Sequence, residues 1–382
     1  MMTKQNQITF NTKKRIQMNS IQNPSILFQP YKQVPLSLSN RMVMAPMTRN
    51  RAVDHNTPNA LMATYYGQRS SAGLIITEGA SPSPNGLGYP RIPGLFNSNH
   101  VNAWKLITKA VHDKGGKIVV QLMHGGRVAH IANLPMGAKV LGPTNETLPG
   151  EMYTDALGMQ QHTPPQAMTL TDIKHAIEEY ALSGQLAMEA GFDGVELHAA
   201  NGYLIEQFLN ANVNQRTDEY GGNANQRNRF ALDIIKASIA AIGNNHVGIR
   251  ISPYGVFNST GAFEGVDQQY TDLVKECSNL KLMYLHLLDH SAMGGPEVPA
   301  SLKQTLHEHF KGSLILTGGF DRQTAESALA QNKADLIGFG KPFISNPDLV
   351  ERYKANAALN PTDKNTFYSP GEKGYSDYPS MS

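Results

Sequence analysis

The sequence predicts one α/β domain built as a (β/α)8 TIM barrel, and three observations point there. From Arg41 onward short apolar segments alternate with helix-length amphipathic ones, the alternation recurs about eight times, and nearly every apolar segment ends on a polar residue or a glycine. Strands returning through helices form a parallel sheet, and eight such units close it into a barrel whose strand C-termini carry the site. A chain of 382 residues could be divided into several domains, yet a barrel with insertions reaches the same size.

Taken in order, strands are expected over 42–45, 74–77, 117–122, 194–198, 247–251, 284–288, 314–317 and 336–338. Helices are expected over 59–71, 101–114, 172–190, 225–242, 267–278, 300–310, 321–331 and 348–355, several opening on Asp or Asn as N-caps. The connection after the third strand, residues 125–170, is proline-rich and lacks periodicity. Loops that follow barrel strands carry function, so a lid-like excursion over the mouth is expected there. Residues 253–265 form a second irregular segment after the fifth strand and are expected to line the same mouth. Beyond Pro361 the tail, rich in Gly, Pro and Tyr, has to fold back on the barrel to be ordered.

Composition excludes several classes. The net charge of +2 leaves no nucleic-acid footprint, and no apolar run approaches a membrane span. The single cysteine, Cys277, excludes an internal disulfide, a cysteine-held cluster and a cysteine-based zinc site, and suits a reducing, cytoplasmic compartment. No HxH or HExxH spacing suggests a metal. No acidic residue precedes Asp54, and residues 1–21 read as a disordered basic tail rather than a targeting segment, ahead of a barrel domain over 22–382.

The strand ends hold the chemistry. Pro46, Met47 and Thr48 follow the first strand, Gly79 the second, Gln121 closes the third, and His198, Asn201 and Tyr203 follow the fourth. Arg250, His286, the Gly318–Gly319 pair and Gly340–Lys341 complete the rim. His198 and Asn201 carry N–H donors able to converge on one oxygen, and Tyr203 offers a phenol with an ordinary pKa of about 10. Alternatively these residues only cap the following helix and fill core. Glycines and a lysine after strands seven and eight suit a phosphate, and without a GxGxxG loop it belongs to a mononucleotide or a phosphorylated substrate. Gln121 suits the imide edge of a flavin, with Thr48 at the opposite carbonyl; Arg250 either steadies negative charge on that ring or pairs with a buried carboxylate such as Glu196.

Ordered passages carry a family resemblance from about Ile26 to Pro379: Asn40-Arg-Met-Val-Met-Ala-Pro-Met-Thr-Arg49, Gln121-Leu-Met-His-Gly-Gly-Arg127, Gly191-Phe-Asp-Gly-Val-Glu-Leu-His-Ala-Ala-Asn-Gly-Tyr-Leu204, Asn214-Gln-Arg-Thr-Asp-Glu-Tyr-Gly-Gly222 and Gly340-Lys-Pro-Phe-Ile-Ser-Asn-Pro-Asp348. They resemble the old yellow enzyme family of FMN-dependent ene-reductases. The resemblance implies that Pro46, Met47, Thr48, Gly79, Gln121 and Arg250 bind the flavin ring and ribityl region, and that Gly318, Gly319, Gly340 and Lys341 hold its phosphate. It implies further that His198 and Asn201 grip a substrate carbonyl, that Tyr203 protonates the adjacent carbon, and that Tyr89 and Tyr368 line the pocket. Non-covalent FMN, NADPH or NADH as reductant, small electrophilic alkenes as substrates and a monomer or homodimer follow as expectations. The sequence departs from the commonest pattern at Lys341, where many relatives have Arg, at Met123, often Trp, and at Asn201, which replaces a second His. A phosphate-binding barrel lyase or isomerase, and a non-catalytic flavin-binding stress module, are the competing readings.

Overall fold

The computed structural model describes residues 25–381, so the expected tail over 1–21 lies outside the described residues. A hairpin of β1 (Tyr31–Gln33) and β2 (Leu36–Leu38) comes first. Next come β3 (Met42–Met44), α1 (Ala60–Gln68), β4 (Leu74–Ala80), α2 (Ser98–His112) and β5 (Ile118–Leu122). The insertion holds β6 (Leu141–Gly142), β7 (Glu151–Thr154), β8 (Gly158–Gln161) and β9 (Gln166–Ala167), before α3 (Leu170–Glu189) and β10 (Val195–Ala199). Then follow α4 (Leu204–Leu209), α5 (Ala224–Ile242), β11 (Val247–Ile251), α6 (Val266–Asn279), β12 (Tyr284–Leu288) and α7 (Ala300–His309). The last elements are β13 (Ser313–Thr317), α8 (Arg322–Ala330), β14 (Leu336–Phe339), α9 (Lys341–Ser345) and α10 (Leu349–Ala355).

Eight parallel strands close in the order β10, β11, β12, β13, β14, β3, β4, β5, as the alternation predicts. Their inner faces divide into two layers. Val43, Leu74, Ile76, Val119, Tyr284, Ile315 and Leu336 fill the lower interior, where Tyr31, Leu36 and Leu38 of the first hairpin pack against them. That hairpin, absent from the sequence reading, seals an apolar end which water would otherwise enter. The upper interior is polar, with Gln121, Glu196, His198, Arg250 and His286 all buried. Register explains the clustering: His198 pairs with Arg250, Arg250 with His286, and Glu196 with Gln121 on adjacent parallel strands. Residues at one level of neighbouring strands share a face, so five polar side chains face one space.

Helix starts correct the sequence reading by a few residues. The third helix begins at Leu170, two residues before the expected Asp172: Thr169 is the N-cap and Asp172 returns the bond from the third position, a capping box. Asn223 and Gln226 do the same for α5, whereas α6 starts after Gly265 with no side-chain cap. The C-terminal tail does fold back. Arg49 donates to the Gly374 carbonyl at 2.8 Å, and Arg51 donates to the Thr366 and Phe367 carbonyls at 2.8 Å each. Arg69 donates to the Tyr375 carbonyl at 3.3 Å, and the Tyr375 ring stacks on Tyr65 with centroids 4.0 Å apart. These guanidinium groups take backbone carbonyls, so a tail without regular structure has its polar atoms satisfied.

Candidate active site

A cavity of about 620 Å³ opens at the C-terminal ends of the strands. It is lined by Pro46, Met47, Thr48, Tyr89, Gln121, His198, Asn201, Tyr203, Arg250, Gly318, Gly319, Gly340, Lys341 and Tyr368, which brings together every sequence-predicted site residue except Gly79. Gly79 stands behind the wall: a Cβ there would meet Met123 Sδ at 2.7 Å, so its smallness makes room for a side chain that does line the cavity. Residues 125–170 contribute nothing to the lining. Instead Ala132, Asn133 and Asp155 border a separate, shallower concavity with the loop from Asn50 to Asn59. The wall residues that sequence reasoning missed are mainly apolar and include Met293, Phe320 and Phe367. Phe257 and Asn258 belong to the second irregular segment and line the mouth as expected of it.

One side of the cavity is a donor pair. Asn201 Nδ2 and His198 Nε2 lie 3.5 Å apart, a separation that suits two donors sharing one acceptor better than a bond between them. The Asn201 amide has its orientation set from behind, because His290 Nε2 donates to its Oδ1 at 2.8 Å and leaves the NH2 group toward His198. The sequence reading missed His290, which lies two residues beyond β12. Burial, reinforced by the charge on Arg250, holds the His198 imidazole well below its ordinary value, so at neutral pH it is a neutral donor. Tyr203 hydroxyl donates to Tyr89 Oη at 3.2 Å. Burial first, then Tyr89, pushes its phenol well above the usual range, so Tyr203 keeps its proton.

The Asn201–Gly202 turn that presents this pair is left-handed at both residues, φ 61° and 74°. Asn tolerates that region, and glycine is required next, where a Cβ would meet the Phe257 carbonyl at 2.6 Å.

Beneath lies a charged network that answers the question left open about Arg250. Glu196 accepts from Gln121 Nε2 and from His286 Nδ1, each at 2.8 Å, and the Thr317 hydroxyl meets His286 Nε2 at 2.7 Å. Despite burial, the His286 contact holds Glu196 below its ordinary value, so the carboxylate is charged. No ion pair joins Arg250 to Glu196 among the described residues, and Arg250 Nε is buried without a partner. Arg250 therefore brings positive charge to the cavity with an unused donor, while Gln121, its NH2 group committed to Glu196, leaves its oxygen for a ligand.

These features fit FMN. A buried, unpartnered guanidinium donor and an amide oxygen meet at one part of the wall, and the opposite part is formed by Gly318, Gly319, Gly340 and Lys341. Gly319 has φ 73°, which brings backbone rather than side chain to the surface. Cys277, by contrast, is buried on α6 away from the cavity, its thiol pushed up to about 12 by burial.

Among known proteins, residues 26–360 match the model of the NADH:flavin oxidoreductase / NADH oxidase family. The chain is 36% identical to 12-oxophytodienoate reductase 7 of Oryza sativa subsp. japonica over 94% of its own length and 95% of that protein's. It is 39% identical to a probable flavin mononucleotide-dependent alkene reductase of Leishmania infantum, covering 90% of this chain and 94% of that one. The structure of morphinone reductase superposes with a TM-score of 0.90 at 39% identity, covering 95% of this chain and 98% of the other. Match over nearly the whole chain, the closed barrel and a cavity suited to FMN agree: the chain belongs to the FMN-dependent NADH:flavin oxidoreductase / NADH oxidase family.

Proposed function

We propose that this oxidoreductase reduces the activated C=C bond of α,β-unsaturated carbonyl compounds, and of nitro-alkenes, at the expense of NAD(P)H. When bound and reduced, FMN would supply the hydride that reaches the β-carbon of such a substrate. Gln121 and Arg250 are assigned to its ring, with Pro46, Met47 and Thr48 beside them, and Gly318, Gly319, Gly340 and Lys341 to its phosphate. Lys341 is exposed and presents a point charge rather than a fork, which holds a phosphate with less geometric demand than arginine.

The observation that carries this reading is the 3.5 Å approach of Asn201 Nδ2 and His198 Nε2 beside the buried Tyr203 hydroxyl. Negative charge builds on the substrate oxygen as its β-carbon is reduced, and two preset N–H donors stabilise it where it develops. Their neutrality matters, since a charged imidazole would also hold anions unrelated to the reaction. Tyr203 delivers the proton that completes the reduction to the α-carbon, a step for which a positioned acid contributes about 10² to 10⁴ in rate. Tyr89 holds the phenol in place, and Tyr368, 59% exposed, borders the entrance. Small electrophilic alkenes are the assigned partners.

The test is optical. Purified protein is expected to be yellow, to bleach on anaerobic addition of NADPH, and to recover its colour on addition of 2-cyclohexenone. Bleaching without recovery supports a flavin-binding module in place of a reductase, and a protein that retains no yellow colour once excess added FMN has been removed by gel filtration removes the assignment altogether.

A further inference from the structure

A buried carboxylate that the assigned chemistry does not use lies directly behind the donor pair. Glu206, on α4, accepts the Gly202 N–H at 2.6 Å through Oε2. It also accepts the Ser252 hydroxyl at 3.1 and 3.2 Å and the Tyr270 hydroxyl at 3.2 Å. Ser252 Oγ in turn accepts the Asn201 N–H at 2.9 Å, so both amides of the left-handed turn end, directly or through one hydroxyl, on this single carboxylate. From the other side Asn258 Nδ2 donates to the Asn201 carbonyl at 2.7 Å. Glu206 makes no ion pair among the described residues. It is 1% exposed, and its place is set by donors alone.

We infer that Glu206 is a positioning residue for Asn201, and that its ionised form is what holds the Asn201 amide at hydrogen-bonding distance from the substrate oxygen. The inference rests on the alkene-reductase reading. A carboxylate accepts from all three donors at once. A carboxylic acid turns one oxygen into a donor, so one of the bonds from Gly202, Ser252 and Tyr270 is given up or reversed and the network behind the turn rearranges. Burial pushes Glu206 up to about 7, so this change falls in an accessible range. The groups around it titrate elsewhere. Tyr270 is raised well above the phenol range, His198 lies far below neutrality, His290 is pushed down to about 4 by burial, and Arg250 stays charged. Glu78 also titrates at about 7, but its bonds are to the Arg49 and Asn50 amides.

The experiment measures kcat/KM for 2-cyclohexenone in FMN-loaded enzyme from about pH 5.5 to 8.5, for wild type and Glu206→Gln. Wild type is expected to lose kcat/KM as pH falls below about 7 while its FMN content and flavin spectrum hold. Glu206→Gln is expected to be roughly 10-fold lower at pH 8 and flat with pH, the size of one lost bond to a charged group. In an Asn201→Gly background, which keeps the left-handed backbone and removes the amide, the Glu206→Gln effect should vanish. An equal loss in both backgrounds, or a wild-type profile without the inflection, overturns the inference; the latter decides the matter even if Glu206→Gln fails to fold. Failure of cyclohexenone to reoxidise the reduced wild type sinks the alkene-reductase reading instead, so the two failures are separable.

Discussion

At the residue scale the site depends on protonation states that burial imposes. His198 is kept neutral and Tyr203 protonated, the first as a donor that needs no counter-ion and the second as an acid with a proton to give. Replacing His198 by Ala removes one of the two donors proposed for the substrate oxygen. Turnover of 2-cyclohexenone should fall by about 10² to 10³, the usual cost of one oxyanion donor, while bound FMN stays near wild type. Loss of FMN with normal turnover on reconstitution would contradict the assignment. Tyr203→Phe keeps the ring and removes the proton, so flavin reduction by NADPH should proceed normally while reoxidation by enone slows by about 10² or more in stopped-flow traces. An unchanged reoxidation rate would assign the proton to another group.

At the scale of elements, the C-terminal tail is the feature least expected of a barrel. It is held by Arg49, Arg51 and Arg69 through backbone carbonyls and by Tyr375 stacked on Tyr65, and it carries Phe367 and Tyr368 into the cavity wall. Arg51 lies nearest the centre of this clamp, with Nη2 within 3.2 Å of the Lys373 carbonyl and 2.8 Å of the Thr366 carbonyl. Arg51→Met keeps much of the volume and strands those carbonyls, at a cost of about 2 to 4 kcal/mol for several bonds to a charged group. The expected signature is local: faster amide exchange over residues 366–375 and a raised KM for enone, with slower change in the barrel strands. Uniform loss of protection across the chain would mean that the clamp stabilises the whole barrel rather than one wall. The hairpin of β1 and β2 acts at the opposite end, sealing apolar residues that no site needs to reach.

At the scale of the whole molecule, two fully buried carboxyls without ion pairs among the described residues, Glu78 and Glu206, are raised from 4.5 to about 7, chiefly by desolvation. A folded-state pKa above the unfolded one means the folded chain binds more protons between those values. The stability each group contributes is full below about 4.5 and is lost as pH rises through about 7, by roughly 3 kcal/mol at most per group. Glu78→Gln should flatten that part of the profile: its thermal midpoint, relative to wild type, should rise as the buffer is taken from pH 5 toward 8. A constant difference across that range would show that Glu78 titrates normally. Asp193, lowered by Lys117 and His112 against burial, acts in the opposite sense at lower pH.

The barrel, its eight strands and the polar part of the cavity wall were legible along the chain, because a parallel barrel forces period and polarity into every strand and gathers strand ends at one rim. His198, Asn201 and Tyr203 were legible for the same reason: they fall within six residues at the C-terminal end of one strand. Tertiary structure alone decided what each of them does with its hydrogen bonds. Glu196 took His286 rather than Arg250, His290 set the Asn201 amide, and Glu206 took the Gly202 amide and, through Ser252, that of Asn201. Such choices depend on angstrom-scale distances between strands and loops far apart in the chain, and local periodicity carries no information about them. Gly79 makes the same point, since only the packed Met123 shows that its missing side chain serves the wall rather than the cavity.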